Sequence, residues 1–205
     1  MGQYYKIAMK PENGDVIYND IRVEGCGRMG WKLLEHSYPQ CAIVTAVCKK
    51  LSETPCRVAW VGDYSEDDEV RETCRGEVDR NELWGEDSKT HAPFAKVKFT
   101  SVKKFLLNHD KKLFVSLTGG FFRVTYKWNT VREGKNTTVE RTKKLAPLPI
   151  LTAIGNGRGG WDYYGNDEDL AGTWAWDLLS VSETVPEGYS RLKHLPKKTR
   201  KTDSE

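Results

Sequence analysis

Residues 155–169 read Gly-Asn-Gly-Arg-Gly-Gly-Trp-Asp-Tyr-Tyr-Gly-Asn-Asp-Glu-Asp, and of the whole chain this stretch has the residue types best suited to hold a ligand. Its glycines let backbone N–H groups converge on an anion. Arg158 adds a planar fork of donors, and Trp161, Tyr163 and Tyr164 offer faces on which a base or sugar can stack. The expected ligand-binding set is Gly155, Asn156, Gly157, Arg158, Gly159, Gly160, Trp161, Asp162, Tyr163 and Tyr164. The expected ligand is a phosphate-bearing small molecule, such as a nucleotide. The stretch contains G-x-G-x-x-G, but a dinucleotide fold needs a helix to open at those glycines, and Trp-Asp-Tyr-Tyr-Gly follows instead. No Gly-Lys-Ser/Thr supplies a P-loop either. An architectural reading stands beside the binding one: glycines present for positive φ or close packing, aromatics filling the core, and Arg158 paired with Asp162 or Asp167.

Other groups carry weaker signals. Asp162, Asp167, Glu168 and Asp169 have the oxygen ligands a hard cation prefers but not the EF-hand spacing. Asn166 and Asp167 read more simply as the cap of a short helix running through Leu170, Ala171 and Trp174. Trp174 and Trp176, two apart, read as core or sheet residues. Asp63 ends an apolar run and is the best isolated carboxylate, with turn capping as its plainer role. His36, His91, His109 and His194 contain no H-x-x-x-H pair. Triads assemble from distant residues, but no G-x-S-x-G elbow or Cys-His signature supports one. No catalytic residue, metal site or cofactor is assigned.

Composition narrows the setting. The 205 residues, 38% hydrophobic, suffice for one core, and no linker divides them. A single domain over residues 1–190 with a basic, disordered tail over 191–205 is expected. Neither a leader nor an apolar run of about 20 residues is visible, so a cytoplasmic protein without membrane contact is expected. Cys26, Cys41, Cys48, Cys56 and Cys74 form no C-x-x-C pair and read as buried or incidental thiols in a reducing compartment. The net charge of +3 resides in the tail: residues 1–190 carry 26 basic and 27 acidic side chains, a net of −1. Nucleic acid is therefore not an expected partner except through the tail.

The elements that must position these residues follow from pattern. Residues 3–9 and 15–18 flank Asn13-Gly14 and predict an opening hairpin. Ser37-Tyr38-Pro39-Gln40 predicts a capped start for a helix over residues 38–52, with Cys41, Val44, Cys48 and Leu51 on its apolar stripe. Residues 57–61 predict a central strand buried on both faces and paired beside the hairpin. An acidic helix is expected from Ser65, and an irregular stretch anchored by Trp84 over residues 76–90. Short strands are expected over 97–99, 104–108, 113–117, 121–128, 138–142, 148–154 and 178–182, with hairpin turns at Asp110-Lys111 and Gly119-Gly120. The sum is an α+β fold, a mostly antiparallel sheet packed by one or two helices.

Three islands carry a resemblance: Met1-Gly2-Gln3-Tyr4-Tyr5, Phe105-Leu106-Leu107-Asn108-His109-Asp110-Lys111-Lys112, and Gly155-Asn156-Gly157-Arg158-Gly159-Gly160 with Gly172-Thr173-Trp174-Ala175-Trp176-Asp177. Together they resemble a family of uncharacterised bacterial and phage proteins that begin with an MGQYY-like signature. The resemblance implies a bacterial or phage cytoplasmic setting and assigns no activity. The leading expectation is a non-enzymatic nucleotide-binding protein, for instance one that sequesters a host signalling nucleotide. The alternatives are a protein-binding inhibitor or adaptor, such as a phage counter-defence protein, and a metal-dependent hydrolase using Asp63, Asp162, Asp167 or Asp169.

Overall fold

The computed structural model describes residues 4–12, 17–18, 21–22, 31–39, 41–62, 92–93, 104–119, 121–132, 135–155 and 163–194. The opening pair of strands forms as expected: β1 (Tyr4–Pro11) pairs antiparallel with β2 (Ile17–Tyr18), Ala8 opposite Tyr18, and the Asn13-Gly14 turn lies outside the described residues. The short strand β3 (Ile21–Arg22) is followed by β4 (Trp31–Lys32), which pairs with the start of β1, and by a single helical turn, α1 (Leu33–His36). After α2 (Ala42–Glu53) comes β5 (Cys56–Gly62), where the apolar run at residues 57–61 is buried as predicted except at Arg57.

The strand β6 (Ala92–Pro93) pairs with β3. Then β7 (Phe105–Asn108) and β8 (Leu113–Ser116) form a hairpin about Asp110-Lys111. The strands β9 (Phe122–Arg132) and β10 (Lys135–Leu145) make a separate two-stranded ribbon. The chain continues through α3 (Pro147–Leu151), β11 (Ala153–Ile154), a 3-10 turn at Glu168–Leu170, β12 (Leu178–Ser182) and β13 (Ser190–Arg191). The main sheet runs β13-β8-β7-β12-β5-β1-β2, with β11 also on β5 and β4 also on β1. Its pairings are antiparallel except β11 with β5 and β13 with β8. The fold is thus α+β, with a mostly antiparallel sheet packed by helices. Ile43, Val44, Val47 and Leu51 of α2 join Val58, Trp60, Leu106, Ile150 and Leu179 in one buried cluster. No helix among the described residues is long and apolar enough to cross a membrane.

Four local expectations are corrected. The long helix starts at Ala42 rather than Tyr38, with Cys41 as its N-cap and no side-chain cap. Ser37 is buried and its carbonyl accepts a bond from the Ala146 amide at 2.5 Å, so tertiary pairing overrides the capping pattern. The run at residues 148–154, expected as a strand, is mostly α3. Pro147 stands at the start of that helix, where a missing N–H costs nothing, and all five of its residues are buried. Gly119-Gly120 does not close a hairpin, because β8 pairs with β7 and β13 while β9 pairs with β10. The tail does not begin at residue 191: Ser190 and Arg191 pair with β8, and Leu192 is buried with its amide on the Phe114 carbonyl. The helix expected from Ser65, the stretch over 76–90 and the strand over 97–99 lie outside the described residues.

The described cysteines, Cys41, Cys48 and Cys56, are buried, and burial pushes the Cys48 thiol up to about 12 against a small opposing effect of Lys104. Trp60, fully enclosed at the centre of β5, tests how much the core rests on this strand. Trp60→Ala should lower unfolding free energy by about 3–5 kcal/mol. That would appear as an earlier urea midpoint, and a loss under about 1 kcal/mol would show that the strand is not central.

Candidate functional site

The site expected from residues 155–164 is approached through β5 and β11. These strands run parallel, with Ala153 beside Trp60 and Ile154 beside Val61, and the Trp60 amide donates to the Thr152 carbonyl at 2.8 Å. Gly155, buried, therefore leaves the sheet at the same end as Gly62. On the other edge of β5, Tyr5 lies opposite Gly62. The N-terminal island and the start of the glycine island thus flank one end of one strand. Asn156, Gly157, Arg158, Gly159, Gly160, Trp161 and Asp162 lie outside the described residues, as does Asp63.

Beyond the loop the chain is clamped to the base of the ribbon. Tyr163 is buried at 4% exposure, its ring packed edge-on against Phe122 and its hydroxyl donating to the Asn166 carbonyl at 2.6 Å. Burial pushes its phenol pKa up, assisted by the nearby Asp167 and Glu168. Tyr163, expected among the stacking residues, is therefore part of the architecture. Tyr164 is 57% exposed, its ring edge-on to Tyr126 with centroids 6.4 Å apart. The Asn166 side chain accepts the Arg123 amide at 2.5 Å and donates to the Phe121 carbonyl and to Asp167. Gly165 has no room for a side chain, since a Cβ there would overlap the Arg123 carbonyl and the Tyr163 hydroxyl.

Asp167 does not act as the expected helix cap. It sits at φ 54, makes no side-chain cap, and its carboxylate meets Nδ1 of His194 at 2.5 Å. His194 in turn stacks on Phe121, with centroids 4.1 Å apart. Among the described residues no group of three or more His, Cys, Asp or Glu is placed to hold a metal ion.

The opposite end of β5 gathers the other islands. Arg57 reaches Asp110 at 2.7 Å and the Trp176 carbonyl at 2.9 Å, and the Leu178 amide also donates to Asp110. Burial pushes the Asp110 carboxyl up, but the Leu178 amide and the Arg57 guanidinium more than offset it and hold the pKa below the ordinary value. Fully buried Asn108 donates to Asp177 at 2.7 Å and accepts the Lys111 amide, while the Lys111 ammonium bonds both Asp177 and the Thr173 carbonyl. Trp174 and Trp176 are core residues, as expected. Trp176 holds φ 62 and buries an indole N–H with no partner among the described residues.

One constellation here was not expected. His109 Nε2 lies 2.7 Å from Ser180 Oγ, and its Nδ1 lies 2.7 Å from the Tyr189 hydroxyl. Burial lowers the His109 pKa, and Lys112 lowers it further against the opposing pull of Asp110 and Glu12. The order is that of a nucleophile, a base and an orienting group. A neutral phenol, however, stabilises a developing imidazolium far less than the carboxylate of a hydrolytic triad. The network serves first as a staple joining the β7–β8 turn, β12 and the segment before β13. Ser180 and Tyr189 lie 71 and 80 residues from His109 and match no spacing motif, so no sequence signal could have paired them.

Comparison of the chain with models of protein families, with curated proteins and with solved structures finds no match.

Two outcomes follow from this geometry. Gly165→Ala should destabilise the protein by about 1–3 kcal/mol through forced overpacking, and an unchanged melting temperature would contradict the clamp. For His109 the depressed folded pKa means that its contribution is complete above the unfolded value of about 6.5 and is lost as pH falls through the folded value. Urea midpoints should decline as pH falls below about 6.5, and His109→Gln should remove part of that decline. Superimposable pH profiles for the two proteins would refute the assignment.

Proposed function

We propose that the protein binds a phosphate-bearing small molecule, with a nucleotide as the leading case, at the carboxyl ends of β5 and β11. The observation that supports this reading is the parallel pairing of these strands, which starts the glycine-rich loop at Gly155 beside Gly62. Parallel neighbours release their chains at the same end, and glycine there lets backbone N–H groups approach an anion closely. The glycines supply backbone N–H groups, Arg158 is the charged contact, and Trp161 and the exposed Tyr164 are the stacking surfaces. Tyr163 is not included, because its hydroxyl and ring are already engaged. The proposed activity is binding rather than catalysis. In the bacterial or phage setting that the resemblance implies, sequestering a host signalling nucleotide is one use.

Calorimetry and a thermal-shift panel of linear and cyclic nucleotides test the proposal. At least one nucleotide should stabilise the protein. Arg158→Ala should weaken that binding by about 1.5–3 kcal/mol, the range of a charge-assisted hydrogen bond, without changing the ligand-free melting temperature. Absence of stabilisation by every nucleotide at millimolar concentration would end this reading.

A further inference from the structure

Tyr164 carries its ring at the far anchor of the glycine loop, and both of its chain neighbours are fixed. Tyr163 is buried with its hydroxyl on the Asn166 carbonyl, and Gly165 stands where a Cβ would overlap the Arg123 carbonyl. Among the described residues the large hydrophobic side chains left exposed are Tyr164 and Tyr38. A single exposed tyrosine is ordinary. This one is held in place from the side as well, because its ring meets that of Tyr126 at 86° with centroids 6.4 Å apart.

The register of the ribbon adds a third side chain. The Arg123 amide and carbonyl both bond Asn166, so residues 163–166 run along the edge of β9 that β10 leaves open. Across the other edge Tyr126 lies directly opposite Arg141. Cross-strand partners share a face, with Cβ atoms about 4.5–5.5 Å apart. Tyr126, half-buried, therefore stands between Tyr164 on one side and Arg141 on the other. Two cations on this face have described side chains. Lys143 is committed to the Leu34 and Glu35 carbonyls, whereas Arg141 is exposed and has no ion-pair partner among the described residues. The Glu35 carboxylate, whose charge reaches Tyr126, is paired with Lys32 at 3.3 Å.

Two rings at right angles with an uncommitted guanidinium beside them suit a planar heterocycle: one ring stacks under it and the other closes its edge. The fork of an arginine pairs most specifically with two adjacent acceptors. Among the four DNA bases guanine offers that pair, O6 and N7, while adenine sets an amino donor beside its N7. We propose that Tyr126, Tyr164 and Arg141 form the base-binding half of the site and select a guanine nucleotide. This inference rests on the nucleotide reading of the glycine loop and names the base that reading leaves open.

Calorimetric titration of the full chain with GDP, IDP and ADP reads the selection. GDP should bind at least about tenfold more tightly than ADP, within the range of a bidentate arginine–guanine pair. IDP keeps O6 and N7 without the guanine amino group and should bind within about threefold of GDP. Arg141→Gln should bring GDP down to the affinity of ADP, with ADP itself shifting by less than about threefold. The melting temperature of this variant should not change, because the side chain is exposed. Tyr126→Ala should weaken all three ligands by at least about fivefold through lost stacking, and Tyr126→Phe should retain the affinity. Arg158→Ala should weaken GDP and ADP alike, which separates the phosphate contact from the base contact. If ADP matches GDP, if IDP behaves like ADP, or if either Arg141→Gln or Tyr126→Ala binds as the wild type does, the base selection is overturned while the nucleotide reading stands. If no nucleotide of any kind binds, both fall together.

Discussion

Strand β5 is hydrogen-bonded on both edges, and the two edges are built differently. On one side β1 pairs with it from Tyr5↔Gly62 to Pro11↔Cys56. The other edge is divided among three segments. Leu178 and Leu179 of β12 meet Arg57 and Cys56, the Trp176 amide donates to the Val58 carbonyl, and Thr152 with β11 takes Trp60 and Val61. A buried strand cannot leave its backbone groups unpaired. That requirement draws residues 152–154 and 176–179 to one edge and holds the glycine island and the Gly-Thr-Trp-Ala-Trp-Asp island at opposite ends of the same strand.

The two ends differ in character. At the Cys56 end polar side chains pair with one another: Arg57 with Asp110, Asn108 with Asp177, and His109 with Ser180 and Tyr189. Such a network specifies how the β7–β8 hairpin sits on β12, and its strained member, Trp176, is held by its amide donating to the Val58 carbonyl and by its carbonyl accepting from the Arg57 guanidinium. At the Gly62 end, glycines on both parallel strands begin the outgoing chains. This is where the residue types favour a ligand, and where the clamp from Tyr163 to Asp167 fixes the loop's far anchor against the ribbon.

Elements whose pattern reflected local burial were legible in the sequence. The continuous apolar run of β5, the alternating Leu178 to Ser182 and the opening pair of strands all appeared as expected. What failed was decided by partners far along the chain. Ser37 looked like a cap but is held by Ala146, and residues 148–151 looked like a strand but form a buried helical turn begun by Pro147. Of the expected ligand set, Gly155 is buried, Tyr163 is built into the core and Tyr164 is exposed. Only the pairing shows that residues 122–132 and 135–145 form one ribbon apart from the main sheet.

The central claim is that β5 and β11 present the ligand site at their shared carboxyl ends. Hydrogen exchange followed by mass spectrometry, with and without a stabilising nucleotide at millimolar concentration, reads this directly. Slowed exchange concentrated in peptides covering residues 60–63 and 153–164 is the predicted result. Unchanged exchange there, or protection confined to residues 104–112 and 173–191, would contradict it.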